Sequence, residues 1–103
     1  MKGLIEVVHQ PNGKFAKFYF VWKDFVVMNL TDDEMHKNLM KEDNFTNSDA
    51  WSEIVRAKLN CDLGERSIAM EPWARWIKCI SEIKNTGRLE RVQEILDAVN
   101  TNT

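Results

Sequence analysis

The chain has 103 residues, 44% of them hydrophobic and 29% charged, a balance that suits one soluble globular domain and excludes the disordered class. A net charge of −2 and a sequence pI near 5.7 argue against a general nucleic-acid binder, which normally carries a basic stripe. No apolar run approaches the roughly 20 residues of a membrane span, and MKGLIEVVHQPNGK lacks the h-region of a secretory leader. Two cysteines, Cys61 and Cys79, fit a reducing compartment, so the expected location is cytoplasmic.

Read in order, residues 1–103 form a single α+β domain: an N-terminal three-stranded antiparallel meander (3–30), a helical part (31–100) of about four α-helices, and a frayed tail (101–103). GLIEVVH, KFAKFYFVW and FVVMNL are rich in the β-branched and aromatic residues that pack on a pleated surface. Between the first two runs, Gln10-Pro11-Asn12-Gly13-Lys14 is a strong hairpin signal, because Asn-Gly tolerates positive φ. Lys23-Asp24 is the weaker candidate turn, lacking glycine. If it is a two-residue loop, Trp22 opposes Phe25 and Phe20 opposes Val27. One face then carries Phe18, Phe20, Trp22, Phe25 and Val27, the other Tyr19, Val21, Val26, Met28 and Leu30. Both faces are apolar, whereas a sheet with one wet side alternates apolar with polar. Either helices cover both, or one is covered by another molecule.

Thr31-Asp32-Asp33-Glu34 reads as a capping box, with Leu30 and Met35 as a hydrophobic staple. The helix it opens runs to about Asp43 and aligns only Met35 and Leu39, leaving Met40 to one side. A second helix is expected from about Ser48 to Asn60, with Trp51, Ile54 and Val55 on its stripe, stopped by Leu63-Gly64. In EPWARWIKCISEI (71–83), Pro72 fits a first helical turn. At about 100° per residue Trp73, Trp76, Ile77, Ile80 and Ile83 share a 120° arc, with Cys79 on its flank and Arg75 opposite. That is a core-facing helix rather than an aromatic groove, ended by Asn85-Thr86-Gly87. The last helix, RLERVQEILDAVN, aligns Leu89, Val92, Leu96 and Val99 and folds back as an antiparallel hairpin.

Candidate chemistry is sparse. His9, His36, Cys61 and Cys79 are zinc-ligand types, but none lies within four residues of another, so no metal is expected. His9 and His36 are the only bases of the usual kind. No nucleophile elbow, P-loop or dinucleotide fingerprint is present, so neither a catalytic residue nor a cofactor is expected. Arg75, Lys78, Arg88 and Arg91 make a basic edge on the last two helices, but acids interleave with them.

The acidic middle stands out. Residues 31–64 carry four cations and eight anions, and from Asp32 to Glu53 seven carboxylates face only Lys37 and Lys41. Asp32, Asp33 and Glu34 serve the helix start; Glu42, Asp43 and Glu53 have no such role. Met40, Glu42, Asp43, Phe45, Asp49 and Glu53 are therefore the candidate partner-binding residues, carboxylates steering a basic protein and apolar groups anchoring it. The expectation is a small non-catalytic protein-binding protein of the inhibitor, immunity-protein or antitoxin kind. A nucleic-acid-binding regulator using the last two helices and a homodimer that buries a sheet face are the alternatives.

Overall fold

The computed structural model describes residues 4–59 and 73–101. The order is β1 (Ile5–His9), β2 (Phe15–Tyr19), β3 (Asp24–Leu30), α1 (Asp32–Glu42), α2 (Asn47–Leu59), α3 (Ala74–Asn85) and α4 (Leu89–Thr101). The strands form one antiparallel sheet with β2 in the centre. This is the expected α+β architecture, a meander followed by helices.

The first hairpin forms as its sequence implies. Gly13 sits at φ 85°, a region open to it because it lacks a Cβ. Gly13 N–H donates to the Gln10 carbonyl at 3.0 Å, and Gln10 N–H to the Lys14 carbonyl at 2.8 Å. The second hairpin differs from expectation. Phe18 pairs with Phe25 and Tyr19 with Asp24, so the strands part before Phe20 and residues 20–23 all lie in the turn. Trp22 is therefore not opposite Phe25. Two register shifts follow in β3: Val26 is skipped between Val27 and Phe25, and Met28 and Asn29 together oppose Ala16. Each adds a residue to one strand and turns later side chains to the other face. This is why Val27 and Met28 exchange the faces that strict alternation assigns them.

Helices cover both sides of the sheet. Val7 and Phe15 pack with Met35 and Leu39 of α1, with Phe45, and with Ala50, Ile54 and Ala57 of α2. Val8, Ala16, Phe18 and Phe25 pack on the other side with Trp76, Cys79, Ile80 and Ile83 of α3 and with Val92, Ile95 and Val99 of α4. Burial of each large side chain stabilises the fold by roughly 1.5–3 kcal/mol. The two-sided apolar sheet is thus satisfied within the chain. Among the described residues, helices of the same chain rather than a second copy pack on each face.

The helix starts and faces explain which residues remain outside. Glu34 N–H donates to Thr31 Oγ1 at 3.2 Å and Thr31 N–H to Glu34 Oε1 at 3.0 Å, completing the capping box. Helix α2 buries Ala50, Ile54 and Ala57, while Trp51 and Val55, the other two members of the expected stripe, are exposed. Small alanines let this helix sit close to the sheet. The stop at Leu63-Gly64 falls outside the described residues, as do Glu71 and Pro72. Helix α3 opens at Ala74 after Trp73, an N-cap at φ 66°. It buries Arg75, Trp76, Cys79, Ile80 and Ile83, with Ile77 exposed. The buried arc is turned by roughly 60° from the one centred on the apolar residues. The cause is Arg75, whose Nη1 donates to the Val7 carbonyl at 3.0 Å and whose Nε lies 3.6 Å from Glu6 Oε1. Helix α4 buries Val92, Ile95 and Val99; Leu89 is exposed and Leu96 half-buried.

Candidate partner-binding surfaces

The acidic candidates separate in space. Asp43 is buried at the end of α1, where its Oδ2 accepts from Lys17 Nζ at 2.7 Å, and Asn38 Oδ1 accepts from the same ammonium at 2.6 Å. Phe45 is also buried, in the α1–α2 core cluster. Asn44 at φ 57° turns the chain inward here, and Phe45 N–H donates to the Leu39 carbonyl at 3.2 Å. Neither Asp43 nor Phe45 can meet a partner as surface groups. Glu42 and Asp49 are exposed, Asp49 N–H donating to Thr46 Oγ1 at 3.1 Å in the first turn of α2. Glu53 is half-buried and accepts from Arg56 at 3.1 Å. Met40 is exposed.

Trp51 and Val55 of α2 also reach the surface. Trp51 is 37% exposed and Val55 51% exposed, one turn apart on the outer side of α2. The Trp51 ring stacks on His36 of α1 with centroids 4.2 Å apart and planes 18° from parallel. His36 Nε2 also lies 2.9 Å from Asn47 Oδ1. Met40, four residues on from His36, lies on the same side of α1. Trp51, Ser52, Val55 and Arg56 line an open hollow of about 330 Å³. Asp49 and Glu53 lie about 160° round the helix from Trp51, so these acids stand on the far side of α2 from this apolar surface.

The second exposed cluster was not visible in the sequence. Val21 and Trp22 at the β2–β3 turn are 61% and 67% exposed, and Leu89 at the start of α4 is 66% exposed. The turn is held from behind. Arg88 donates to Asp24 Oδ2 at 3.1 Å, to the Trp22 carbonyl at 3.2 Å and to the Lys23 carbonyl. Arg91 Nε donates to both Asp24 oxygens, at 2.9 and 3.1 Å. Trp22 meets the Tyr19 ring edge-on at 5.0 Å. Only the turn length, unreadable without a glycine or proline, kept these side chains from being placed outside.

The same bonds bear on nucleic acid. Of the four cations assigned to a basic edge, Arg75 is buried and Arg88 and Arg91 are engaged with the turn. Lys17 of β2 is also withdrawn from solvent, buried against Asp43. Among the described residues no group of three His, Cys, Asp or Glu side chains could hold a metal ion, and no helix is long and apolar enough to cross a membrane. Cys79 is a buried free thiol whose ionisation is pushed up by burial and by the nearby Glu6 carboxylate. That environment suits packing, not nucleophilic attack. Cys61 lies outside the described residues, and with it any Cys61–Cys79 pairing.

His9 stacks on Phe15 at 4.9 Å and meets Trp73 at 5.2 Å. Burial holds its pKa below the ordinary 6.5, offset in part by a hydrogen bond that the imidazole donates to the Gly13 backbone. The folded state therefore prefers neutral His9. Its contribution to stability is complete above pH 6.5 and is lost as pH falls through the lower folded value. Urea titrations at pH 7.5 and 5.5 should show a larger acid loss for the native chain than for His9→Gln; equal losses would exclude His9 as the source.

No protein-family model, curated protein or solved structure matches the chain. The functional reading therefore stands on the chemistry of these surfaces.

Proposed function

We propose that this chain is a non-catalytic protein that binds and occludes another protein, of the general kind to which inhibitors, immunity proteins and antitoxins belong. The observation that supports this reading is the outer face of the α1–α2 pair. These helices have already covered their side of the sheet, yet Met40, Trp51 and Val55 face outward. Tryptophan in particular is enriched among residues that dominate binding energy, because it offers a large rigid surface at little entropic cost. Trp51 is further fixed by its stack on His36. The carboxylates Glu42, Asp49 and Glu53 give this part of the chain a negative potential that steers a basic partner towards the helices.

Affinity capture from the native host with the intact chain and with Trp51→Ala/Val55→Asp tests this directly. Both positions are exposed, so the double variant is expected to fold and to lose the partner by tenfold or more in affinity. Retention of every captured protein by a folded double variant would overturn the assignment of this surface. Reversing Glu42 and Asp49 to lysine addresses the sign of the partner separately. It should weaken the complex and flatten its dependence on salt; an unchanged complex means that the partner is not basic. Gel shifts with generic DNA and RNA at two salt concentrations should show no complex, the opposite of what a nucleic-acid regulator gives.

A further inference from the structure

We infer that the β2–β3 turn and the start of α4 form a self-complementary contact through which two copies of this chain associate. The turn is a convex knob made of Val21 and Trp22, each more than half exposed. Beside it, Gly87, Arg88, Leu89, Glu90, Arg91 and Glu94 line an open hollow of about 490 Å³, large enough to receive an indole. Knob and hollow are tied to one another through Arg88, which lines the hollow and donates to the carbonyls of Trp22 and Lys23. A feature and its complement side by side on one molecule are what a two-fold contact requires: each copy offers its knob to the other's hollow, and both contacts form at once.

The charges agree with this occupant. The knob ends in Lys23, and the hollow is lined by the exposed Glu90 and by Glu94, which pairs with Arg91 at 3.3 Å. In the two-fold arrangement Lys23 of each copy faces those carboxylates on the second copy. Its present partner, Glu82 at 3.1 Å, is a half-exposed pair that costs little to exchange. The seated indole meets Leu89 as its apolar neighbour and the guanidinium of Arg91 as a cation over its ring. Preorganisation favours the step, since the bonds from Arg88 and Arg91 already hold the turn and little ordering remains to be done. A contact built on one aromatic side chain and one ion pair per copy is expected to be weak and concentration-dependent.

Sedimentation velocity from micromolar to half-millimolar concentration tests the inference on the intact chain. The native protein should pass from its 12.1 kDa monomer towards twice that mass. Trp22→Ala removes the knob, and Leu89→Asp alters the hollow at a first-turn position where an acid suits the helix. Each should weaken association by roughly thirtyfold or more, the effect of truncating a central hot spot, while leaving the thermal midpoint of the monomer unchanged. A native chain that stays monomeric at half-millimolar overturns the inference, and so does a Trp22→Ala chain that still dimerises. Loss of the dimer in Trp22→Ala but not in Leu89→Asp also overturns it, because the tryptophans would then meet each other rather than the hollow. This outcome is independent of the α1–α2 surface, which the Trp51→Ala/Val55→Asp variant reads.

Discussion

Replacing Asp43 with alanine is expected to cost about 3–5 kcal/mol of folding stability, because it strands the Lys17 ammonium in the interior. Both side chains are almost fully buried, at 5% and 8% exposure, and their charged atoms are 2.7 Å apart. Asn38 Oδ1 offers the ammonium a neutral acceptor at 2.6 Å, which does not balance its charge. Urea unfolding should show the loss as a midpoint lowered by more than about 1 M for a domain of this size. The double variant Lys17→Met/Asp43→Leu removes both charges and fills the space with apolar atoms. It should recover most of the stability or exceed the native value. A Asp43→Ala loss below about 1 kcal/mol would show that water reaches the ammonium. The pair also alters how a binding experiment must be read: charge reversal at Asp43 acts through unfolding, whereas Glu42 and Asp49 report on the surface.

Asn29 carries the second large effect. It stands at φ 61°, where the two-against-one register of β3 requires a left-handed residue. Its side chain closes a polar network between the first hairpin and the end of α4. Gln10, fully buried, donates from Nε2 to Asn29 Oδ1 at 2.7 Å and to Asn12 Oδ1 at 3.0 Å. Asn12 Nδ2 donates to Asn29 Oδ1 at 3.1 Å and to the Val99 carbonyl at 3.3 Å, and Asn29 Nδ2 to the Ala98 carbonyl at 3.4 Å. Asn29 N–H donates in return to Gln10 Oε1 at 2.8 Å. Asn29→Ala should lose about 2–4 kcal/mol, combining left-handed strain of about 1–2 kcal/mol with the unsatisfied amides of Gln10 and Asn12. Asn29→Gly keeps the backbone and loses only the side-chain bonds, so it should be less damaging by about 1–2 kcal/mol. Equal losses for the two variants would remove backbone strain from the account.

The contrast between these two sites shows what the sequence could and could not disclose. Local signals were legible: Asn12-Gly13 made its turn, Thr31 and Glu34 made the box that opens α1, and apolar period marked α3 and α4. Burial on both faces of the sheet followed from the unbroken apolar runs. What failed were judgements that depend on a distant partner. Asp43 reads as an exposed acid because its partner is not its neighbour in sequence; it pairs with Lys17 across 26 positions. Arg75 was assigned to solvent for the same reason, and its bond to Val7 turned α3 and left Ile77 outside. The register shifts at Val26 and Asn29 leave no mark in the alternation of β3, so face assignments beyond Phe25 could not be right throughout. Of the six candidate binding residues, those interior to the fold are the ones whose partners were remote.

The polar bond from Arg75 and the irregularities of β3 have a joint consequence for how this molecule can be approached. In a three-stranded sheet both outer strands offer free backbone groups, a template on which a further strand from any chain can be added. Here Arg75 occupies the Val7 carbonyl on one outer strand, and on the other the skipped Val26 and the left-handed Asn29 break the even spacing that an added strand would need. The sheet is closed to extension at these positions, which disfavours fibrillar polymerisation. Recognition by strand addition is disfavoured for the same reason, and contacts with other molecules fall to side chains on the helices and the β2–β3 turn.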